Sequence, residues 1–332
     1  MNCFVTGASG FIGANLVHEL LARGHRVKAL LRDKSDLRGL AGADFERIIG
    51  DVNDHAALKA GLRGCDWCFH VAASYHLWLR DYAPMYAANV EGTRNVILAA
   101  GSAGCSRIVY TSTVGCIGLP KKVGGTISPT DETAPVSEAQ MSNHYKLSKW
   151  RAERVALALA RTGLPVVIVN PTAPVGPRDV KPTPTGQVIV DFMKGRMPAY
   201  IETGMNLIDV DDVAVGHLAA MEKGRLGERY ILGNRNLMLR EVFALLSRLT
   251  GVPAPRVKLP RLVILPLAYA NQWLSDYVTH RPPRIPLEGV KMAKYVMHYD
   301  CAKAIRELGL PQTPVEVALE KAVRWFRDHN YA

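Results

Sequence analysis

The run Thr6-Gly7-Ala8-Ser9-Gly10-Phe11-Ile12-Gly13 follows directly on the apolar stretch Asn2–Thr6 and opens a stretch of helical spacing, Phe11–Arg23. Three glycines at intervals of three, between a strand and a helix, leave little choice of fold. Gly7 permits a tight turn, Gly10 lets a backbone approach a pyrophosphate, and Gly13 allows a helix to pack closely. The first turn of such a helix has amide donors without intrahelical partners, which suits an anion. Standing alone the loop would be only a turn. At the first strand of a βαβ unit it reads as a dinucleotide-binding loop.

The following residues supply that context. Further strands are expected at Arg26–Leu31, Phe45–Ile49, Trp67–Val71, Arg107–Thr111 and Pro165–Val169, several of them continuously apolar, as strands covered on both faces must be. Helical spacing occupies Asp54–Leu62, Ala83–Ala103 and Asn143–Arg161. The alternation predicts an α/β, Rossmann-type, doubly wound parallel sheet. After residue 170 prolines crowd the chain and the rhythm breaks. The reading is a Rossmann domain over residues 1–170, to which 206–233 returns, and a smaller, mostly C-terminal substrate domain from 171–205 and 234–332.

At 332 residues the chain is long enough for a large core without disulfides or metal. Cys65 and Cys68 have zinc or redox spacing, but no second pair completes a site, so two small buried residues are expected and no metal. Met1 is followed at once by a strand rather than by a secretory leader, and no apolar run is long enough to span a bilayer, so a cytoplasmic protein is expected. The formal net charge of +11 is spread along the chain, with no basic block that would suit nucleic acid. Anionic small molecules or an anionic membrane surface remain open as partners.

Tyr145 and Lys149 are four residues apart, which puts both on one face of a helix. A phenol is a poor acid or base at neutral pH unless a cation lowers its pKa, and Lys149 is placed to do so. Tyr145 could then give a proton to a carbonyl or take one from an alcohol. Arg32 ends the second strand, where a guanidinium can grip a phosphate bidentately; Lys28 is a second candidate there, or a solvated strand-end charge.

The spacing Gly-x-x-Gly-x-x-Gly, joined to Tyr145-x-x-x-Lys149, resembles the extended short-chain dehydrogenase/reductase superfamily over essentially the whole chain. That resemblance implies hydride chemistry on a nicotinamide cofactor. Its pattern implies cofactor contacts at Ser9, Phe11 and Ile12 in the loop, and at Asp51-Val52 after the third strand, where the aspartate would bond the adenine. Asp51 could instead cap the following helix, a task for which Asn53 competes. Val71-Ala72-Ala73 would pass beneath the cofactor, and Pro171, beside Asn170, would meet the carboxamide. Asn89 would order the site's backbone. The catalytic hydroxyl falls on Thr113, with Ser112 as the reserve. Leu31 stands where members that use NAD carry an acid, and Leu31-Arg32-Asp33 looks like the run of dihydroflavonol reductases. This implies NADP(H), with NAD(H) as the alternative.

His70-Val71-Ala72-Ala73, Leu77-Trp78 and Lys181-Pro182-Thr183-Pro184-Thr185-Gly186 look like the bacterial hopanoid-associated sugar epimerase group, a dihydroflavonol-reductase-like branch. The expected chemistry is reduction of a ketone, or the reverse, on a lipid, terpenoid or aromatic substrate. Tyr75, Leu77 and Trp78 would wall its pocket. The alternative is a nucleotide-sugar epimerase, with a diphosphate held by some of Arg178, Lys181, Arg235, Arg240, Arg281 and Arg284. Val114-Gly115 replaces the Asp-Glu pair of sugar dehydratases, which disfavours elimination. A homodimer through Ala83–Ala103 and Asn143–Arg161 is expected. The apolar run Leu259–Pro266 is read as a buried helix of the small domain, with a weak membrane-surface contact as the alternative.

Overall fold

The structure is a computed structural model that describes residues 1–123, 126–283 and 287–332. The first half runs β1 (Asn2–Thr6), α1 (Phe11–Ala22), β2 (Arg26–Leu31), β3 (Glu46–Ile49), α2 (His55–Leu62) and β4 (Trp67–His70). A long helical run follows, as α3 (Ala83–Tyr86), a π-helical turn (Ala87–Glu91) and α4 (Gly92–Ser102). Then come β5 (Arg107–Thr111), a hairpin of β6 (Lys121–Val123) and β7 (Thr126–Ser128), α5 (His144–Arg161) and β8 (Val166–Pro171). The expected strands all appear, within a residue or two at their ends.

Beyond β8 lie β9 (Ala173–Val175), α6 (Pro184–Met193), β10 (Ala199–Tyr200), β11 (Gly204–Asp209), α7 (Val210–Lys223), β12 (Arg229–Leu232) and β13 (Arg235–Met238). The chain ends with α8 (Leu239–Thr250), β14 (Val257–Lys258), α9 (Arg261–Leu274), α10 (Leu287–Met292), α11 (Ala302–Leu308) and α12 (Val315–Asp328).

Seven parallel strands form the main sheet in the order β12-β8-β5-β4-β1-β2-β3. Helices cover both faces. On one face α1 and α7 pack through Leu16, Leu20, Val213 and Leu218. On the other α2, α4 and α5 pack through Leu58, Ile97 and Ala152. Strand order reverses between β1 and β4. Connections leave the two strands in opposite directions there, and in open sheets of this kind ligands bind in the crevice beyond the carboxyl ends at such a point.

From the 206–233 segment, α7 and β12 join the main sheet's layers. The strand that precedes them does not. β11 is instead the centre of a second sheet, β13-β11-β9, which packs with α6, α8 and α12 around Phe192, Phe243 and Phe326. Arg178 ties the two layers together: its guanidinium donates to Asn15 Oδ1 of α1 at 2.8 Å.

Candidate active site

The glycine loop sits at the point of strand reversal. Gly7 has φ +72°, and a Cβ there would lie 2.6 Å from the Ala72 amide nitrogen. Only glycine serves at that position. A Cβ on Gly13 would lie 2.1 Å from the Gly7 carbonyl oxygen, so Gly13 lets α1 close onto the loop itself. Gly10 occupies the N-cap of α1, and no side chain caps that helix. Asp54 caps α2 from Ala57 N at 3.0 Å, and Asn143 caps α5 from Lys146 N at 2.8 Å. The first-turn amides of α1, among them Phe11 and Ile12, are left to an outside acceptor. Ser9 lies partly buried in the same loop.

Because Asp54 performs the capping, neither Asp51 nor Asn53 does. The exposed Asp51 carboxylate accepts from Asn53 alone among the described residues, from its backbone amide at 3.1 Å and its side-chain Nδ2 at 3.5 Å. Val52 is buried against Gly92, where a Cβ would meet its Cγ2 at 2.4 Å. Arg32 is exposed at the end of β2 and has no side-chain partner among the described residues. Lys28 is a correction: register places it opposite Glu46, and its ammonium donates to the Arg63 carbonyl at 3.1 Å and pairs with Glu46 at 3.6 Å. Its ammonium is thus engaged within the fold rather than free at the strand end.

A buried relay fixes the end of β4 against the loop. Thr93 donates its hydroxyl proton to the Asn89 carbonyl at 2.6 Å, so it accepts from His70 Nε2 at 3.0 Å. His70 Nδ1 is then bare and accepts from Thr6 Oγ1 at 2.8 Å, while Thr6 in turn accepts from the Ala72 amide at 3.2 Å. His70 is a structural histidine. Burial, and then the charge of Lys149, lower its pKa to about 3. The Asn89 side chain, in the π-helical turn, donates to the Ser74 carbonyl at 3.0 Å and Ser148 Oγ at 2.9 Å and accepts from the Ser74 amide at 2.7 Å. It clamps the post-β4 segment, which begins at Val71-Ala72-Ala73, to α5. Such π turns recur at functional sites.

The start of α5 lies against the end of β5. The Lys149 ammonium is buried and donates to the Tyr110 hydroxyl at 2.9 Å and the Thr111 carbonyl at 2.8 Å. Burial lowers its pKa to about 8. Tyr145 lies one turn earlier, with the Tyr75 ring edge-on at 4.3 Å. Its phenol is pushed well above the ordinary tyrosine value by burial first, then by Tyr75 and Cys116. This corrects the expectation that Lys149 lowers it: the ammonium is turned to Tyr110 and Thr111 instead.

Ser112 and Thr113 separate cleanly. Ser112 donates to the buried Glu153 carboxylate at 2.6 Å, so its proton is committed. Thr113 Oγ1 accepts from the Gly115 amide at 3.2 Å, and its own proton has no partner among the described residues. Glu153 also accepts from Asn170 Nδ2 at 2.8 Å and pairs with Arg229 at 3.2 Å. Asn170 donates further to the Thr113 carbonyl at 3.0 Å, and its Oδ1 is buried without a donor. Pro171 follows it, buried at the end of β8. Sequence reasoning missed Glu153 and Tyr110. Glu153 had a signal, since Tyr145, Lys149 and Glu153 recur at intervals of four on one helix face.

Of the basic residues considered for a diphosphate, Arg178 bonds Asn15, Arg235 pairs with Glu316 at 2.8 Å and Arg240 with Glu202 at 3.6 Å. Arg284 lies outside the described residues. A polar cavity at the β12 edge, lined by Glu228, Arg229 and Lys303, is far across the sheet from the crevice and is crossed by a Lys303–Glu228 ion pair at 2.7 Å. Cys65 and Cys68 are buried, and burial pushes both thiols up.

Comparison with known proteins agrees with this architecture. Residues 3–233 match the model of the NAD dependent epimerase/dehydratase family, and the chain belongs to that family of oxidoreductase-type enzymes. It is 46% identical to a putative dihydroflavonol 4-reductase of Synechocystis sp., over 99% of this chain and 95% of that one. It is 34% identical to sterol demethylase protein B of Methylococcus capsulatus, over 99% of both. The crystal structure of gox2253 superposes with a TM-score of 0.87 at 46% identity, covering 99% of this chain and 98% of that one. The residues present fit the family's nicotinamide dinucleotide: a glycine cradle that excludes a Cβ at Gly7 and Gly13 and a helix without a side-chain cap.

Proposed function

We propose that the protein is an NADP(H)-dependent reductase, or in reverse a secondary-alcohol dehydrogenase, acting on an apolar ketone substrate of lipid, terpenoid or aromatic kind. The observation that carries this is the placement of Tyr145, one turn before the buried Lys149 on α5 and walled edge-on by the Tyr75 ring at 4.3 Å; burial raises its phenol above the ordinary tyrosine value. A phenol that holds its proton at neutral pH suits donation to a carbonyl oxygen, and an aromatic wall suits an apolar substrate. The names of the two relatives, a reductase and a sterol-processing protein, support the same reading, and the resemblance to the hopanoid-associated group points the same way.

The nicotinamide supplies or accepts the hydride when bound. Gly7, Ser9, Gly10, Phe11, Ile12 and Gly13 would hold the pyrophosphate, with Asp51 and Val52 at the adenine. Val71, Ala72, Ala73 and Pro171 would line the nicotinamide end, where Lys149 would bond the ribose. The unpaired Arg32 would take the 2′-phosphate. In reduction, the Tyr145 hydroxyl gives its proton to the substrate oxygen, and the Thr113 hydroxyl donates a hydrogen bond to the same atom. In oxidation, Tyr145 takes the proton back. The free thiols fit a reducing compartment such as the cytoplasm.

The test follows NADPH consumption with steroidal, terpenoid and flavanone ketones beside nucleotide sugars. Turnover of an apolar ketone, lowered about a hundredfold or more by Tyr145→Phe, is expected. Interconversion of a nucleotide sugar without net NADPH consumption would replace this reading with the epimerase.

A further inference from the structure

Helix α9 corrects the expectation of a buried helix. Its inward residues, Ile264, Leu265 and Ala268, pack with Leu287 and Val290 of α10. The opposite face is apolar and exposed: Leu262, Val263, Leu267 and Trp273 continue into Tyr277 and Val278 of the following π-helical turn, with Leu262 74% and Tyr277 71% exposed. Single exposed apolar residues need no explanation, but a contiguous face along one helix marks an interaction surface.

The charge around that face indicates its partner. Arg256 and Arg261 stand before it and Arg281 after it, and none has a carboxylate partner among the described residues. The acid on this segment, Asp276, is held by Trp78 Nε1 at 2.6 Å and Gln272 Nε2 at 2.9 Å. Tyr269, Trp273 and Tyr277 add aromatic rings of the kind that settle at the level of lipid headgroups. A second copy docked on the same face by a twofold axis would set these arginines against their own counterparts. An anionic bilayer opposes them with the complementary sign.

We infer that α9 and the turn after it dock on an anionic lipid surface, lying in the plane of the interface. Among the described residues no helix is long and apolar enough to cross a membrane. The Trp78–Asp276 bond ties the docking face to the segment that also carries Tyr75, so docking would bring the mouth of the crevice to the bilayer.

The test is flotation of the full chain with vesicles of phosphatidylcholine alone or with about a third phosphatidylglycerol. Binding to the anionic vesicles is expected, roughly tenfold tighter than to the neutral ones and weaker as salt rises. The pair Leu267→Ser and Tyr277→Ser should abolish it. The set Arg256→Gln, Arg261→Gln and Arg281→Gln should remove the anionic preference. Arg256, Leu267, Tyr277 and Arg281 are exposed and Arg261 half-buried, and an unchanged melting temperature would show that the variants fold. Failure to float with either vesicle would overturn the proposal, as would equal binding to both. Self-association dissolved by the Leu267/Tyr277 pair would assign the face to a second copy instead. Flotation is read without turnover, so its failure leaves the proposed reaction untouched.

Discussion

Replacing Lys149 with methionine should change how stability depends on pH, by an amount the site sets. The ammonium is fully enclosed, donates to Tyr110 and the Thr111 carbonyl, and lies 4.6 Å over the Tyr110 ring. Those contacts do not repay its burial, and its pKa falls from 10.5 to about 8. At about 1.4 kcal/mol per pKa unit, holding it charged costs the folded enzyme about 3 kcal/mol at neutral pH. The folded pKa lies below the unfolded one, so the penalty is fully present below pH 8 and fades as pH rises toward 10.5. Lys149→Met cannot titrate. The wild type should therefore gain roughly 1 to 2 kcal/mol relative to the variant between pH 7 and pH 9. Urea unfolding of both proteins at several pH values measures this, and titrations elsewhere cancel in the difference. A difference that stays flat, or falls with pH, would refute a charged and buried lysine.

Other sites give further expectations. Glu153→Gln keeps an acceptor for Ser112 but leaves Arg229 without its charge partner; a loss of about 3–5 kcal/mol should appear in denaturant melts, and a change below 1 kcal/mol would contradict the ion pair's place in the core. His217 is buried, its Nδ1 donating to the Val213 carbonyl at 2.7 Å, and burial lowers its pKa to about 4. The unfolded chain binds the proton first as pH falls, so stability should drop between pH 6.5 and pH 4, by up to about 3 kcal/mol from this residue. His217→Gln should make that part of the curve shallower by this amount, leaving the slope that His70 contributes over the same range.

The main sheet was legible because its physics is local. Strands such as Val166–Val169, buried on both faces, read as unbroken apolar runs. The glycine loop was legible because backbone conformation and close approach exclude side chains at Gly7 and Gly13. What could not be read depends on neighbours distant in sequence. Lys28 looked like a free strand-end charge until register set it beside Glu46. Lys149 stands one turn from Tyr145, yet its direction depends on Tyr110 and on the Thr111 carbonyl, which no helical spacing contains. The apolar content of α9 suggested burial, but hydropathy does not say which of two apolar faces meets the core. Ser112 and Thr113 are neighbours in one run, and only the position of Glu153 on α5 distinguishes them.

We propose that Arg32 and the glycine cradle serve a phosphorylated nicotinamide dinucleotide that exchanges at each turnover. The most direct test is a fluorescence titration of the purified protein and of Arg32→Ala with NADPH and NADH, after identifying any nucleotide the protein retains. Little retained nucleotide and a clear preference for NADPH are expected. Arg32→Ala should weaken NADPH by about 10- to 100-fold, as loss of a charged phosphate contact requires, and leave NADH nearly unchanged. Tightly retained NAD, or equal loss for both nucleotides, would contradict it.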